Sequence, residues 1–292
     1  MDALSELQGL ISRRARLGQL RDARLPRLQW ASFAARSEPT PLVEDLTFAL
    51  VLQGKKRTTI GSRTFEYGAG HVFLHSLRAP ITSEIIQASA REPFVVVGLA
   101  LERTLVTSLL MEGPAWPTQP TPFAFATSAA SEEVLDAFRR YVRLLDAAED
   151  IPVLANGIER EIVWRAMRGP QGAALLDLGR VDSHLALISR AVDVMQKRFA
   201  EALSVAELAR AANMSESSFS RHFRKATAMS PLQFQKQLRL QNARSRLIAR
   251  DGDVTSVCFA VGYQSPSQFS REYRRQFGVS PREDHARLRN KT

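Results

Sequence analysis

Two short segments of the chain carry side chains suited to reading DNA bases. Arg221 and Arg271 occupy matching places in them, and an arginine can donate two hydrogen bonds to O6 and N7 of guanine. Gln268 can pair in the same two-pronged way with adenine, whereas serines bond to several bases. The predicted base-contacting residues are Ser217, Ser220, Arg221, Ser267, Gln268 and Arg271.

Basic residues follow about one helical turn after each of these arginines. Contacts from such residues to phosphate position a protein on the duplex without reading its sequence. The alternative is a basic face that only meets water. The predicted phosphate contacts are Arg224, Lys225, Arg274 and Arg275.

An internal repeat positions both sets. Residues 215–221 align with residues 265–271, and the match continues to Ser230-Pro231 and Ser280-Pro281. Upstream the offset falls from 50 to 49, so the two copies have slightly different turns. Each copy is typical of a helix, a tight turn and a second helix.

Capping signals define the two units as residues 204–227 and 254–277. Helix starts are indicated by a Ser204/Glu207 capping box, Ser215, Asp253, and Ser265 followed by Pro266. Each second helix has an aromatic face at i, i+4 spacing, formed by Phe219 with Phe223 and by Phe269 with Tyr273. The predicted base readers lie on the opposite face.

A single helix is predicted over residues 231–249, between the units. The eighteen residues from Leu232 to Ala249, at about 1.5 Å each, span roughly 27 Å. Recognition helices at this separation suit successive major grooves, which are about 34 Å apart. One chain can then read two grooves.

The charge distribution supports a polyanionic partner. The net charge is +10; residues 1–179 hold equal numbers of basic and acidic residues, so the excess lies in residues 180–292. Positions 217–250 contain eight basic residues and no acid. Charge alone fits DNA, RNA or an anionic membrane surface.

The last third resembles the AraC/XylS family of transcription regulators. The matching residues run from Val257 through Gly262-Tyr263, Ser265, 269–271 and Tyr273 to 277–281. Cys258 stands where alanine is usual, and Ala228 stands where the family prefers glycine. The resemblance implies an AraC-type DNA-binding domain over residues 182–292, with double-stranded promoter DNA as partner. Its base-contacting positions coincide with the six predicted above.

The N-terminal part is predicted to be β-rich over residues 42–101, where short runs of Val, Phe, Ile and Thr alternate with turn signals. About six strands there indicate a small barrel or jelly roll. Helices are predicted over 103–111, 132–147 and 153–168. Their apolar stripes can pack on the barrel or form a homodimer.

This part resembles the N-terminal domain of an AraC-type subfamily. The matching residues are Leu50 through Lys55, Gly61, Tyr67, Pro80 and Ala88-Ser89. The resemblance implies a cupin-like barrel that senses an effector. The expected architecture is α+β with two domains: a helical arm at 1–24, the barrel and trailing helices at 25–170, a linker at 171–181, and the all-α domain.

The effector is an unknown small molecule. Lys55, Arg57, His71, His75 and Arg78, with Lys56 beside them, can line an anion-accepting mouth or simply be exposed strand ends. The His-x-His plus Glu pattern of metal-binding cupins is absent, so no metal or other cofactor is expected.

The sequence thus predicts a ligand-responsive regulator that is not an enzyme, and the family resemblance favours an activator of bacterial promoters. It is expected in the cytoplasm, since it has one cysteine and no apolar run long enough for a membrane. An activator would also contact RNA polymerase, whereas a repressor would block it. The competing classes are a metal cupin or a Cys258 alkyl-transfer enzyme fused to a DNA-binding domain, and a non-specific nucleic-acid binder.

Overall fold

The computed structural model of the protein describes residues 3–14, 18–22, 24–116, 122–249 and 251–289. The N-terminal half is built mainly from antiparallel strands. Their bounds are β1 Gly18–Asp22, β2 Leu25–Phe33, β3 Thr40–Glu44, β4 Thr47–Gln53, β5 Lys55–Ile60, β6 Arg63–Gly68, β7 His71–His75, β8 Ala79–Gln87, β9 Phe94–Ala100 and β10 Phe125–Ala129.

The helices surround this β region and then form the C-terminal domain. Their bounds are α1 Ala3–Ser12, α2 Arg103–Glu112, α3 Glu132–Arg143, α4 Ile151–Arg168, α5 Gly172–Gly179, α6 His184–Lys197, α7 Val205–Ala211, α8 Glu216–Thr227, α9 Pro231–Ile248, α10 Val254–Ala260, α11 Pro266–Phe277 and α12 Pro281–Arg289.

The strands form two sheets, in the orders β1-β2-β9-β4-β7-β10 and β3-β8-β5-β6. Six of the seven residues of β4 are buried, as expected for a central strand covered on both faces. The expected cupin-like β domain is confirmed, with the two sheets arranged as a jelly-roll-like sandwich rather than one closed barrel.

The predicted N-terminal arm, residues 1–24, is integrated into this domain where the structure describes it. Leu7 and Ile11 on α1 are fully buried. The carboxylate of Glu6 accepts hydrogen bonds from Arg139 and Arg143 on α3, and β1 pairs with β2. Residues of this segment therefore cover the edge and outer face of the larger sheet.

The first apolar stripe predicted after the sheets, on the helix at 132–147, faces inward. Val134, Phe138, Tyr141 and Leu145 are buried, and the ring of Phe138 lies 6.0 Å from that of Phe48 on β4. This stripe therefore packs on the sandwich, which is one of the two roles the sequence allowed.

The predicted linker, residues 171–181, is largely helix α5 and is buried. A side chain at Gly179 would meet Leu110 and Val106 of α2, the first at 2.4 Å. A side chain at Gly172 would lie 2.1 Å from the carbonyl oxygen of Met167. These glycines allow close packing, although in the sequence they are equally typical of a flexible connection.

The C-terminal domain contains the two expected helix-turn-helix units. Side-chain caps occur at Ser204, Ser215, Asp253 and Ser265, as predicted. The joining helix α9 ends one residue earlier than expected, at Ile248.

The two units differ in how they join the rest of the protein. The core of the first unit, including Phe219, Phe223 and Phe234, is continuous with the core of the N-terminal domain. The second unit has a separate core, formed by Leu240, Ala243, Leu247, Val257, Cys258, Val261, Tyr263, Phe269 and Tyr273. The N-terminal domain is therefore packed directly against the first unit.

Gly262 in the turn of the second unit should not tolerate a side chain. Its φ is +87°, and a Cβ there would lie 2.0 Å from the carbonyl oxygen of Ala200. Gly278 also has a positive φ, but a Cβ there would have no neighbour within 4 Å among the described residues. We expect Gly262→Ala to lower the free energy of unfolding by about 3 kcal/mol or more, and Gly278→Ala by about 1–2 kcal/mol. Urea unfolding measures both, and equal losses would contradict the close approach at Gly262.

Candidate nucleic-acid interface

The second helix of the first unit, α8, has one buried and one exposed face. Phe219 and Phe223 are fully buried, so the opposite side of α8 points outward. Ser217 and Arg221 are exposed and Ser220 is half-buried. Arg224 and Lys225, the predicted phosphate contacts, are also exposed and extend this surface toward the end of the helix.

The second helix of the second unit, α11, repeats this arrangement. Phe269 and Tyr273 are fully buried, and the exposed residues are Ser267, Gln268, Arg271, Arg274 and Arg275. The structure therefore places the predicted DNA-contacting residues of each unit together on the outward side of one helix.

Several basic side chains of the stretch 217–250 bind other groups of the protein and are not free to contact DNA. Arg239 on α9 donates to the carbonyl oxygens of Phe199 at 2.7 Å, Glu201 at 2.8 Å and Gly262 at 3.0 Å. Burial lowers the pKa of Arg239. These bonds join the turn between α6 and α7 to the turn of the second unit, a role that charge counting in the sequence does not reveal.

Two further cations of α9 are paired within the domain. Lys236 contacts Glu272 at 2.9 Å, and Arg244 contacts Asp284 at 2.9 Å. The exposed cations on the recognition helices are Arg221, Arg224 and Lys225 of α8 and Arg271, Arg274 and Arg275 of α11. These six residues form the predicted polyanion-binding surface.

Glu272 organises the side chains at the outward face of α11. It accepts hydrogen bonds from Lys236, from the Tyr263 hydroxyl at 2.7 Å and from Gln268 at 3.3 Å. Burial alone would raise the pKa of Glu272, but these hydrogen bonds lower it overall. The carboxylate thus stays ionised and restrains Gln268 before any base is bound.

A histidine pair lies beside the corresponding arginine in the first unit. The rings of His184 on α6 and His222 on α8 stack at 3.7 Å, with an interplanar angle of 10°. Arg221 approaches Nε2 of His222 at 3.4 Å. Partial burial, then the neighbouring His184, Arg221 and Lys225, lower the pKa of His222. The predicted base-reading face of α8 is therefore in contact with the start of α6.

Two family models match the chain. Residues 24–174, about half of it, match the AraC-type transcriptional regulator N-terminus, and residues 208–287 match a helix-turn-helix domain. The chain belongs to the AraC family of transcription regulators. The suspected family is confirmed, and the repeat predicted from the sequence is matched by the helix-turn-helix model.

Curated relatives share the family. The chain is 29% identical over 137 residues to the HTH-type transcriptional regulator ArgR of Pseudomonas aeruginosa. It is 33% identical over 155 residues to the HTH-type transcriptional activator RhaS of Escherichia fergusonii. These matches cover 47% and 52% of this chain, and 42% and 54% of the respective relatives, so the chain matches about half the length of each.

A solved structure shows the same two-domain fold. ToxT from Vibrio cholerae, with an unsaturated fatty acid bound, superposes with a TM-score of 0.56 over 89% of this chain and 93% of its own. The sequence identity is 9%, so this likeness concerns the fold alone.

The predicted effector residues of this AraC-family protein do not converge on one site. Lys55 and His71 are exposed. Arg57 is paired with Glu66 and Glu84 on the outer face of the smaller sheet, and Arg78 contacts Asp45 at 2.8 Å. His75 is buried, and its burial together with the charge of Lys56 lowers its pKa to about 3.

A cavity of about 510 Å³ lies between the two sheets, and Lys56 and Glu44 are among its lining residues. Burial lowers the pKa of Lys56 and raises the pKa of Glu44, while each charge partly offsets the effect on the other. Aromatic side chains of Trp30, Phe73 and Phe94 also line it. Successive side chains of a strand point to opposite faces of the sheet, so Lys56 faces the cavity while Lys55 and Arg57 face outward. The sequence did not show which of the two faces of β5 points inward.

Cys258 lies in the separate core of the second unit and is fully buried. Burial raises the pKa of its thiol, whereas an alkyl-accepting cysteine needs an accessible thiolate. This geometry fits a core residue.

The described part of the chain contains no group of three or more His, Cys, Asp or Glu side chains that could hold a metal ion. None of its helices is long and apolar enough to cross a membrane.

Arg239 should contribute strongly to stability because its guanidinium satisfies carbonyl groups of two turns. We expect Arg239→Met to lower the free energy of unfolding by about 2–4 kcal/mol. Arg246, on the same helix, contacts Asp251 only at 3.8 Å on the surface, and Arg246→Met should change it by less than about 0.5 kcal/mol. Urea unfolding compares the two; similar small losses would contradict a structural role for Arg239.

Proposed function

We propose that this protein activates bacterial promoters in response to a small molecule, and that one chain reads two successive major grooves. The observation that carries the proposal is the matched outward face of α8 and α11, at opposite ends of α9. Base contacts are assigned to Ser217, Ser220, Arg221, Ser267, Gln268 and Arg271. Phosphate contacts are assigned to Arg224, Lys225, Arg274 and Arg275.

The length of α9 supports the two-groove reading. Its 18 residues span roughly 27 Å, and the recognition helices add to this separation. Successive major grooves on one side of B-DNA repeat every 34–36 Å or so. The bound sequence should therefore contain two blocks about 10 base pairs apart.

The two units are expected to contribute unequally to sequence preference. The second unit presents Gln268 and Arg271, both capable of bidentate pairing. The first presents Arg221 between serines, which discriminate little individually. The block read by α11 should be the more sharply defined.

The effector is assigned to the cavity between the sheets. Its size lies within the range typical of small-molecule sites, and its aromatic walls with one half-buried cation and one half-buried carboxylate match their usual chemistry. Lys56 suits an anionic group of the ligand and Glu44 a donor. Of the basic residues named from the sequence, Lys56 lines this cavity, whereas Lys55, Arg57, His71, His75 and Arg78 do not.

Direct contacts provide a route from this domain to the DNA-binding face. The backbone N–H of Ala124 donates to the carbonyl oxygen of Ala226 in α8 at 2.9 Å. Gly61, in the β5–β6 turn, approaches the backbone of Ala228 so closely that a Cβ would lie 2.6 Å from its carbonyl oxygen. A change in the sandwich is therefore transmitted to the end of the first recognition helix.

RNA polymerase and a second copy of the chain are the proposed protein partners. The activator role is supported by RhaS, an activator of the same family. A homodimer is supported by the exposed apolar side chains of Val153 and Leu154 on α4.

Arginine variants test the assignment of base and phosphate contacts. Binding is measured on duplexes selected from a randomised library. Arg271→Ala should relax preference at one position, costing about 1–3 kcal/mol on the preferred sequence and little on random DNA. Arg274→Ala should weaken binding to all sequences alike and reduce the slope of log K against log salt by about 0.9. If the wild-type protein shows a steep salt slope with no preferred sequence, it is a non-specific binder and the proposal fails.

The effector site is tested by a thermal-shift screen of metabolites. A ligand that binds only the native state raises the melting temperature. For any such ligand, Lys56→Met should reduce its affinity about 10-fold or more, since the hydrogen-bonded contact between Lys56 and the anionic group of the ligand is lost. Lys55→Met is the matched control, because that neighbour is exposed and should leave the affinity unchanged. Equal effects of both variants would place the effector elsewhere.

A further inference from the structure

A second cavity, of about 880 Å³, lies where the N-terminal domain meets the first recognition helix. One wall comes from α2 and the loop after it, with Leu110, Met111 and Trp116. The other comes from the start of α6 and from α8, with His184, His222 and Lys225. It is separate from the cavity between the sheets, with which it shares no lining residue.

The two walls differ in chemistry. The α2 wall is apolar and carries an indole ring. The α8 wall presents nitrogen side chains, and it includes the N-terminus of α6, a 14-residue helix whose dipole favours negative charge there. An occupant with an apolar body and an anionic group complements both walls.

Asp177 already occupies part of the α6 N-terminus, so the preference for an anion rests mainly on Lys225. Asp177 is buried, and its carboxylate accepts the backbone N–H of Leu185 at 3.0 Å within the first turn of α6. Asp182 is exposed at the rim. Arg180, also lining the cavity, donates to the carbonyl oxygen of Trp116 at 2.9 Å, so it holds the loop of the apolar wall in place.

The cavity is also connected to the DNA-binding surface through two of its residues. Lys225 is one of the proposed phosphate contacts. His222 stacks on His184 on one side and contacts Arg221, a proposed base contact, on the other. An anion held by Lys225 and His222 would occupy one phosphate-binding cation and constrain the neighbouring base reader.

We propose that this interdomain cavity binds a small organic anion with an apolar body, and that its occupant and DNA compete for Lys225. The competition rests on the proposed DNA-contacting role of α8, whereas the binding does not. Because coupling is reciprocal, the occupant weakens DNA binding by the same factor as DNA weakens the occupant.

The probe for this site is 8-anilinonaphthalene-1-sulfonate, an aromatic anion whose fluorescence rises in apolar surroundings. It is titrated into the folded full-length protein. We expect saturable binding, weaker binding of the uncharged analogue N-phenyl-1-naphthylamine, and no displacement by inorganic phosphate. If the charged and uncharged probes bind equally, the site does not select anions and the proposal fails.

Three variants locate the probe. Lys225→Gln should reduce its affinity about 5-fold or more, within the usual range for a lost charge-assisted bond. Arg224→Gln removes the adjacent cation on the same helix, which does not line the cavity, and should leave probe affinity unchanged. Lys56→Met should also leave it unchanged. Loss of binding in Lys56→Met but not in Lys225→Gln would place the probe between the sheets and overturn the proposal.

Competition with DNA tests the second half. A saturating random duplex should displace the probe from the wild-type protein, and the probe should weaken duplex binding about 5-fold or more. If probe binding depends on Lys225 but is unaffected by DNA, the proposed competition is wrong and the proposed binding site still stands. If the protein does not bind DNA selectively, the measurements on selected duplexes will show it, independently of whether the probe binds.

Discussion

The burial of one aromatic face on each recognition helix is the constraint on which the DNA-binding surface depends. Phe219 and Phe223 must leave water, as must Phe269 and Tyr273. The middle helix α9 supplies partners for both pairs: Phe234 meets Phe223 edge to face at 5.3 Å, and Leu240, Ala243 and Leu247 join the other core. Once these faces are fixed, helical geometry alone turns Arg221 and Arg271 outward.

The elements that the sequence predicted well are those set by local interactions. A capping serine or aspartate bonds to a backbone N–H three residues away, so Ser204, Ser215, Asp253 and Ser265 mark helix starts without any tertiary contact. The recognition-helix faces followed from the same local periodicity.

The elements that were missed or placed differently depend on distant contacts. Helix α5 needs α2 beside its glycines, and β10 is a strand because it pairs with β7. In β5 the run Lys55-Lys56-Arg57 is polar on both faces, so periodicity could not say which side chain points between the sheets. The role of Arg239 was hidden for a similar reason, since its carbonyl partners belong to turns more than twenty residues away.

The division of the hydrophobic core has a consequence for how binding specificity can change. The first recognition helix packs into the same core as the N-terminal domain, so a substitution that repositions α8 also disturbs the domain to which we assign effector binding. The second has a core of its own, and its outward residues can be exchanged at little cost to the rest. On this plan, new target sequences can be acquired mainly through the second unit, while the first unit preserves the proposed response to an effector.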